Sequence, residues 1–369
     1  MKSEEKGKEL LAHAGIEVGG NKPWDIQVKD PRFFRRVLAE GPLALGESYM
    51  DGWWDAESLD MFFDKVLSAE LEKKIITPSL MLHILRAKFV NLQSPKRAFK
   101  VGEEHYDVGN DLYRRMLDSR MVYTCGYWRD ANTLDEAQEA KLDLVCRKLG
   151  LMKGQRILDI GCGWGSFAKF AAERYGVEVV GITISKEQKN LAEESVKGLP
   201  VEIRLQDYRE MNEQFDHIVS IGMFEHVGRK NYREYMEVAH RNLKDGGMFL
   251  LHTIGGNRSA HTTDPWIEKY IFPGGMLPSI TQIGESIEGL FVMEDWHNFG
   301  TDYDTTLMHW FKNFDAHWSD IKDHYGERFY RMWKYYLMMS AGSFRSRKNQ
   351  LWQITLSKGG VRGGYQSVR

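Results

Sequence analysis

The residues best suited to chemistry fall in a few short stretches. LDIGCGWGS (Leu158 to Ser166) spaces Gly161, Gly163 and Gly165 at alternate positions after Asp159, so the backbone can turn sharply and lie against a ligand. GMFEHVG (Gly222 to Gly228) sets Glu225 beside His226 just after the apolar run HIVSI, and His252 lies near the end of a second apolar run, MFLLHTI. A carboxylate and an imidazole so placed can hold an anion or move a proton, although either alone is more often a satisfied structural group. Cys125, Cys146 and Cys162 are too few and too scattered for a disulfide framework or a zinc site, which fits a reducing cytosol.

The elements that must position these residues alternate regularly from Thr133 onward. Thr133-Leu-Asp-Glu136 is a capping box opening a helix through Leu149, and RILDIG is a short strand ending in glycine. A helix from Trp164 to Tyr175, closed by Gly176, precedes the strand EVVGITI, and Ser185-Lys-Glu-Gln188 reads as a second capping box. VEIRLQ and HIVSI follow as strands, then a helix from Asn231 to Leu243 and the strand MFLLHTI; FVMEDW and LWQITL are late strands flanking two aromatic helices. Such an alternation predicts an α/β fold with a doubly wound, mainly parallel sheet. Ligands bind at the carboxyl edge of such a sheet, where the glycine loop, Glu225 and His252 all fall.

The spacing of the loop decides its ligand. A dinucleotide fingerprint needs G-x-G-x-x-G and an acid about twenty positions on, whereas this chain has G-x-G-x-G and a second strand ending Gly181-Ile-Thr183. Trp164 follows the second glycine where a phosphate loop wants Gly-Lys-Ser/Thr, which disfavours ATP. D-x-G-x-G-x-G resembles the S-adenosylmethionine loop of methyltransferases with this sheet. On that resemblance the cofactor faces Asp159, Gly161, the backbone of Cys162, Gly163 and Gly165. The second strand adds Thr183, Ser185 and Gln188, and the turn after the third adds Gln206, Asp207 and Tyr208, although a capping box and a plain turn explain these nearly as well.

The 369-residue chain, 42% hydrophobic, can fill a sizeable core, and its formal charge of −2 provides no global basic field for nucleic acid. The start, MKSEEKGKELLAHAG, lacks the apolar block of a signal peptide, and no uncharged apolar run is long enough to span a bilayer. Residues 1–95 read as mostly helical, with a boundary at Ser94-Pro95 and a second domain over 96–369. ILRAKFVNLQSPKRAFKVG mixes basic and apolar residues, a pattern that is usually a solvated face but can rest on an anionic bilayer. Aromatic stretches such as MHWFKNFDAHW and FYRMWKYYLMM read first as amphipathic helices on a core.

HYDVGNDLYRRML, YTCGYW, DIGCGWG, GITISKEQ, LQDY, GMFEHVG, LLHTIG and DYDTTL together resemble the cyclopropane-fatty-acyl-phospholipid synthases, and the likeness runs over essentially the whole chain. The resemblance implies a seven-stranded class I S-adenosylmethionine methyltransferase fold, Rossmann-like, with a smaller, mostly helical amino-terminal domain that helps dock on the membrane. It implies methyl transfer to the cis double bond of an unsaturated phospholipid acyl chain, then loss of a proton to a bound bicarbonate and closure of a three-membered ring. It places Tyr123 and Thr124 of YTCGYW at the cofactor, and cages the bicarbonate with Cys125 and Ile254 through their amides, Glu225, His252 and Tyr303. His226 is left with packing or orienting the loop. The resemblance further implies a cytoplasmic homodimer lying on the inner face of the membrane, with no nucleic-acid partner. Ser340 stands where relatives carry cysteine; methyl transfer to an alkene needs no thiol nucleophile, so serine should be tolerated. A methyltransferase for soluble amines would share the loop but want no anion cage, and a lipid-binding protein without catalysis would leave the glycine loop idle.

Overall fold

The computed structural model describes residues 3–74, 109–260 and 262–369. The chain divides into two compact units, one built from residues up to 90 with His261–Pro273 and Tyr303–Asn349, the other from Asn91–Ala260, Gly274–Asp302 and Gln350–Arg369. Both the expected boundary at residue 95 and the basic, apolar segment around it lie outside the described residues.

The second unit holds a seven-stranded sheet. Its strands are β3 (Arg156–Ile160), β4 (Glu178–Thr183), β5 (Val201–Leu205), β6 (Phe215–Ile221), β7 (Leu243–Gly256), β8 (Val292–Asn298) and β9 (Asn349–Ser357), in the order β5-β4-β3-β6-β7-β9-β8. β3 pairs parallel with β4 and β6, as do β4 with β5 and β6 with β7, whereas β8 and β9 are antiparallel. The order reverses beside β3, and this switch point leaves an open crevice at the carboxyl end of that strand. Side chains alternate across the pleat, so each face buries its own set. Ile157, Val179, Val219 and Leu250 pack with Val145, Leu149 and Phe167 on one side, while Leu158, Ile160, Ile218, Phe249 and Leu251 pack with Tyr235 and Met236 on the other.

Thr133 caps the helix Leu134–Leu149 as expected, with both halves of the capping box formed. The second box differs. Ser185 accepts from the Gln188 N–H, but the Gln188 side chain does not reach back: Thr183 Oγ1 donates to Gln188 Oε1 (2.9 Å) and accepts from the Ser185 N–H (3.2 Å). The buried Thr183 hydroxyl, at the end of β4, takes the place that the reciprocal bond would fill.

The other unit gathers sequence-distant pieces around one helix. A two-stranded pair, β1 (Ile26–Val28) with β2 (Trp54–Ala56), interrupts a region that reads as helix from its apolar spacing. The helix Glu327–Arg345 packs on it: the Arg331 guanidinium stacks 3.9 Å from the Tyr49 ring and donates to the carbonyls of Tyr49 and Trp54. Trp266, from the helix Pro265–Tyr270, stands 4.5 Å from Tyr335 and fills the space above Gly46. The late aromatic residues in this unit, Trp266, Trp310 and Trp333, are thus fully buried core. A Cβ on Gly46 would come within 2.3 Å of Trp266 Cδ1. Gly46→Ala is therefore expected to destabilise the chain by about 1–3 kcal/mol through overpacking, read as a lowered denaturation midpoint.

Candidate active site

The glycine loop leaves β3 with Gly161, Gly163 and Gly165 at φ +81°, +55° and +80°, a region that side-chain-bearing residues rarely enter. They differ in surroundings. A Cβ on Gly161 would lie 2.6 Å from Met223 Cγ, and one on Gly165 3.2 Å from Ala192 Cβ, whereas one on Gly163 would meet nothing within 4 Å. Gly163 is therefore the position where bare backbone borders open space. Cys162 is buried under Gly181, its N–H donates to the Ile182 carbonyl (3.0 Å) and its carbonyl accepts from the Gly165 N–H (2.9 Å), and burial pushes its thiol well above its ordinary pKa. Asp159, 2% exposed, keeps Oδ2 without a hydrogen-bond partner among the described residues, and burial pushes its pKa up to about 7 against the pull of Lys141.

The flanking candidates divide. Asp207 accepts from the Arg209 backbone N–H (2.9 Å) and guanidinium (2.8 Å), so its carboxylate serves the turn. Tyr208, 5% exposed, packs edge-on to Tyr235, its hydroxyl having no partner among the described residues, and the Gln206 N–H donates to the Thr183 carbonyl. Tyr123 lies edge-on to Tyr113, which in turn packs against Trp164 of the glycine loop.

The proton-handling candidates gather at the ends of β6 and β7. Ile221 pairs with His252, and the Gly222 N–H donates to the His252 carbonyl (2.9 Å), which carries the next turn, Phe224–His226, against β7. β7 does not stop at His252 but runs on to Gly256. This extension has a consequence for Ile254: its amide, expected to face an anion, donates to Glu225 Oε1 (2.7 Å). Glu225 Oε2 has no partner among the described residues, and burial pushes the carboxyl up to about 7. His252 is 1% exposed, and burial with the nearby Lys141 and Lys148 charges drives it neutral. Gln353 Nε2 faces His252 Nδ1 at 3.3 Å; with that amide as the donor, the ring proton sits on Nε2, which is unpartnered among the described residues. One buried acceptor, Glu225 Oε2, and one buried donor, His252 Nε2, thus belong to this edge, Glu225 being tied to β7 through Ile254, two positions beyond His252.

Cys125 is fully buried, its thiol turned to the Gly126 carbonyl. Half-buried His226 is held neutral by desolvation, its pKa pushed down to about 4. Tyr303 belongs to the other unit, where its ring stacks on Phe344 at 4.6 Å. Ser340 lies in the same unit, on the helix Glu327–Arg345, and its carbonyl accepts from the Ser343 hydroxyl. Sequence reasoning passed over three groups at this edge: Lys141, Gln138 and Gln353, all buried. The signal for the first two was polar residues spaced i and i+3 on a helix face that must be covered.

A parallel sheet with a loop of this form at its switch point, and unsatisfied polar atoms beside it, defines a class I S-adenosylmethionine-dependent methyltransferase. Residues 93–354 match the family described as mycolic acid cyclopropane synthetase, and the chain belongs to that family. It is 58% identical to the cyclopropane-fatty-acyl-phospholipid synthase of Escherichia coli K12 over 98% of this chain and 94% of that protein. Among solved structures, the cyclopropane synthase MmaA2 of Mycobacterium tuberculosis is 33% identical with a TM-score of 0.67, over 73% of this chain and all of that one. The mycolic acid cyclopropane synthase CmaA1, solved with SAH and CTAB, is 36% identical with a TM-score of 0.65, over 70% of this chain and 98% of that one.

Proposed function

We propose that this enzyme transfers the methyl group of S-adenosylmethionine to the cis double bond of an unsaturated phospholipid acyl chain, a bound bicarbonate then taking the proton whose loss closes the cyclopropane ring. The observation that carries the reading is that Glu225 Oε2 and His252 Nε2 are both buried and both without a partner among the described residues, at the edge that bears the glycine loop. The cofactor supplies an electrophilic methyl group; the residues that would hold it are Asp159, the backbone of the loop around Gly163, and the Thr183, Ser185 and Gln206 to Tyr208 turns, with Tyr123 and Thr124 alongside.

An alkene is a weak nucleophile and becomes a carbocation on methylation, so water must be kept out and a base held ready. Glu225 accepts the hydroxyl of the anion through Oε2 while Ile254 fixes its other oxygen, and His252 donates from Nε2 to an anionic oxygen. Cys125 joins this cage by its family block, and the same resemblance also names Tyr303. Ile254 acts through Glu225. A neutral His252 suits the task, because it donates without competing for the proton.

The enzyme works as a cytoplasmic homodimer resting on the inner membrane face, its amino-terminal helices helping it dock. No helix among the described residues is long and apolar enough to cross a membrane, in keeping with a peripheral attachment. The test is incubation with dioleoyl phospholipid vesicles and S-adenosylmethionine, followed by mass spectrometry of the lipids. One added CH₂ per acyl alkene is expected, with strong loss of product in carbon-dioxide-depleted buffer. Methylation of small amines with unchanged lipids would overturn the reading.

A further inference from the structure

The strip Val122 to Cys125 runs past the ends of β6 and β7, and several contacts pin it. Asp118 accepts from the Val122 N–H (2.8 Å), and Gln138 Nε2 donates to the Thr124 carbonyl (2.7 Å). Lys141 Nζ donates to Thr124 Oγ1 (2.7 Å). The Thr124 methyl closes on Gly222, where a Cβ would come within 2.6 Å of it. Lys141 is wholly buried, and its ammonium ends on a neutral hydroxyl while feeling Asp118, Cys125 and Asp159 through space. The same charge acts on His252. A buried ammonium is destabilising unless something compensates it, and a hydroxyl does so weakly. Lys148, which also acts on His252, has a carboxylate of its own in Asp295 (3.9 Å) and lies against His297 (3.1 Å).

We propose that Lys141 is a positioning residue for the anionic base: it holds the Thr124–Cys125 strip against the turn at Gly222 and supplies the positive charge that the bound anion faces. This rests on the reading of bicarbonate as the base. Three buried carboxyls, Asp118, Asp159 and Glu225, stand around this strip and edge, and an incoming anion adds further negative charge. Neutral His252 offers a proton but no charge, so the ammonium of Lys141 is the balancing group held next to the cage. Burial lowers its pKa and Asp118, Cys125 and Asp159 partly offset this, leaving it at about 8, so it is protonated at neutral pH.

The test titrates bicarbonate into the full-length enzyme in carbon-dioxide-depleted buffer with dioleoyl phospholipid vesicles, while calorimetry follows S-adenosylhomocysteine affinity. Lys141→Met should raise the half-saturating bicarbonate concentration about tenfold or more, the loss of one charge-assisted interaction, with cofactor affinity within about threefold. Lys141→Arg should recover part of the difference, which a merely structural role would not predict for a larger head in the same space. An unchanged half-saturating concentration in folded Lys141→Met, or an equal fall in cofactor affinity, overturns the proposal. Should that variant not fold, Thr124→Val removes the hydroxyl anchor alone and must raise the same concentration by about threefold; no change overturns the proposal equally. Wild-type activity independent of bicarbonate would instead sink the base itself, a separate and distinguishable failure.

Discussion

Glu225→Gln is expected to lower ring formation by about 100-fold or more while leaving S-adenosylhomocysteine affinity within a few-fold. The amide keeps the shape of the carboxyl and can still accept from the Ile254 N–H, so β7 and the turn after β6 stay joined. At the second oxygen, however, an acceptor becomes a donor, and the hydroxyl of the bound anion loses its partner. The substitution should also stabilise the protein at alkaline pH. Burial raises the carboxyl from 4.5 to about 7 in the folded chain, so the folded form retains a proton that the unfolded form releases between those values. The contribution of this group to stability is fully present below the unfolded value and is lost as pH rises through the folded one. Gln does not titrate. The variant should therefore gain on wild type across this window by on the order of 3 kcal/mol, flat above it. Denaturation midpoints of both proteins over pH, with product measured by mass spectrometry, test the two effects together. Retained ring formation removes Glu225 from the cage; a pH-independent stability difference removes its raised pKa. Wild-type activity should fall as pH drops through about 7, since only the ionised carboxylate accepts from the anion.

Gly163→Leu is expected to weaken S-adenosylhomocysteine binding by about 100-fold or more with the fold retained, because its side chain would enter the open space that Gly163 borders. The backbone there is left-handed, so a side chain adds about 1–2 kcal/mol of strain, which a domain of this size can absorb. Gly161→Leu makes the informative comparison: its Cβ runs into Met223 at 2.6 Å, so stability should fall first and most. Calorimetric titration and denaturation midpoints of the two variants separate these outcomes. Near-normal affinity in Gly163→Leu would show that the cofactor lies elsewhere.

Much of the catalytic unit was legible before any coordinate, because its information is local. Strands β3 to β9 fall on apolar runs bounded by turn residues, and Thr133 and Gly176 mark helix ends through bonds made within one turn. The spacing of the glycine loop argued against a dinucleotide and ATP, its resemblance pointed to S-adenosylmethionine, and the family blocks proposed Glu225, His252 and Cys125. What sequence order hid is everything that depends on segments far apart in the chain. Pro265–Tyr270 and Glu327–Arg345 pack with the amino-terminal helices because Trp266 fits over Gly46 and Arg331 over Tyr49, complementarities of shape and charge that no periodicity encodes. The same holds at the site. Ile254 turned from a free donor into the partner of Glu225, Gln188 left its capping box for Thr183, and Lys141 became a buried charge beside the strip at Thr124. A side chain's type fixes what bonds it can make, but which bond it makes is decided by the groups that burial brings within 3 Å of it, and that only the folded chain determines.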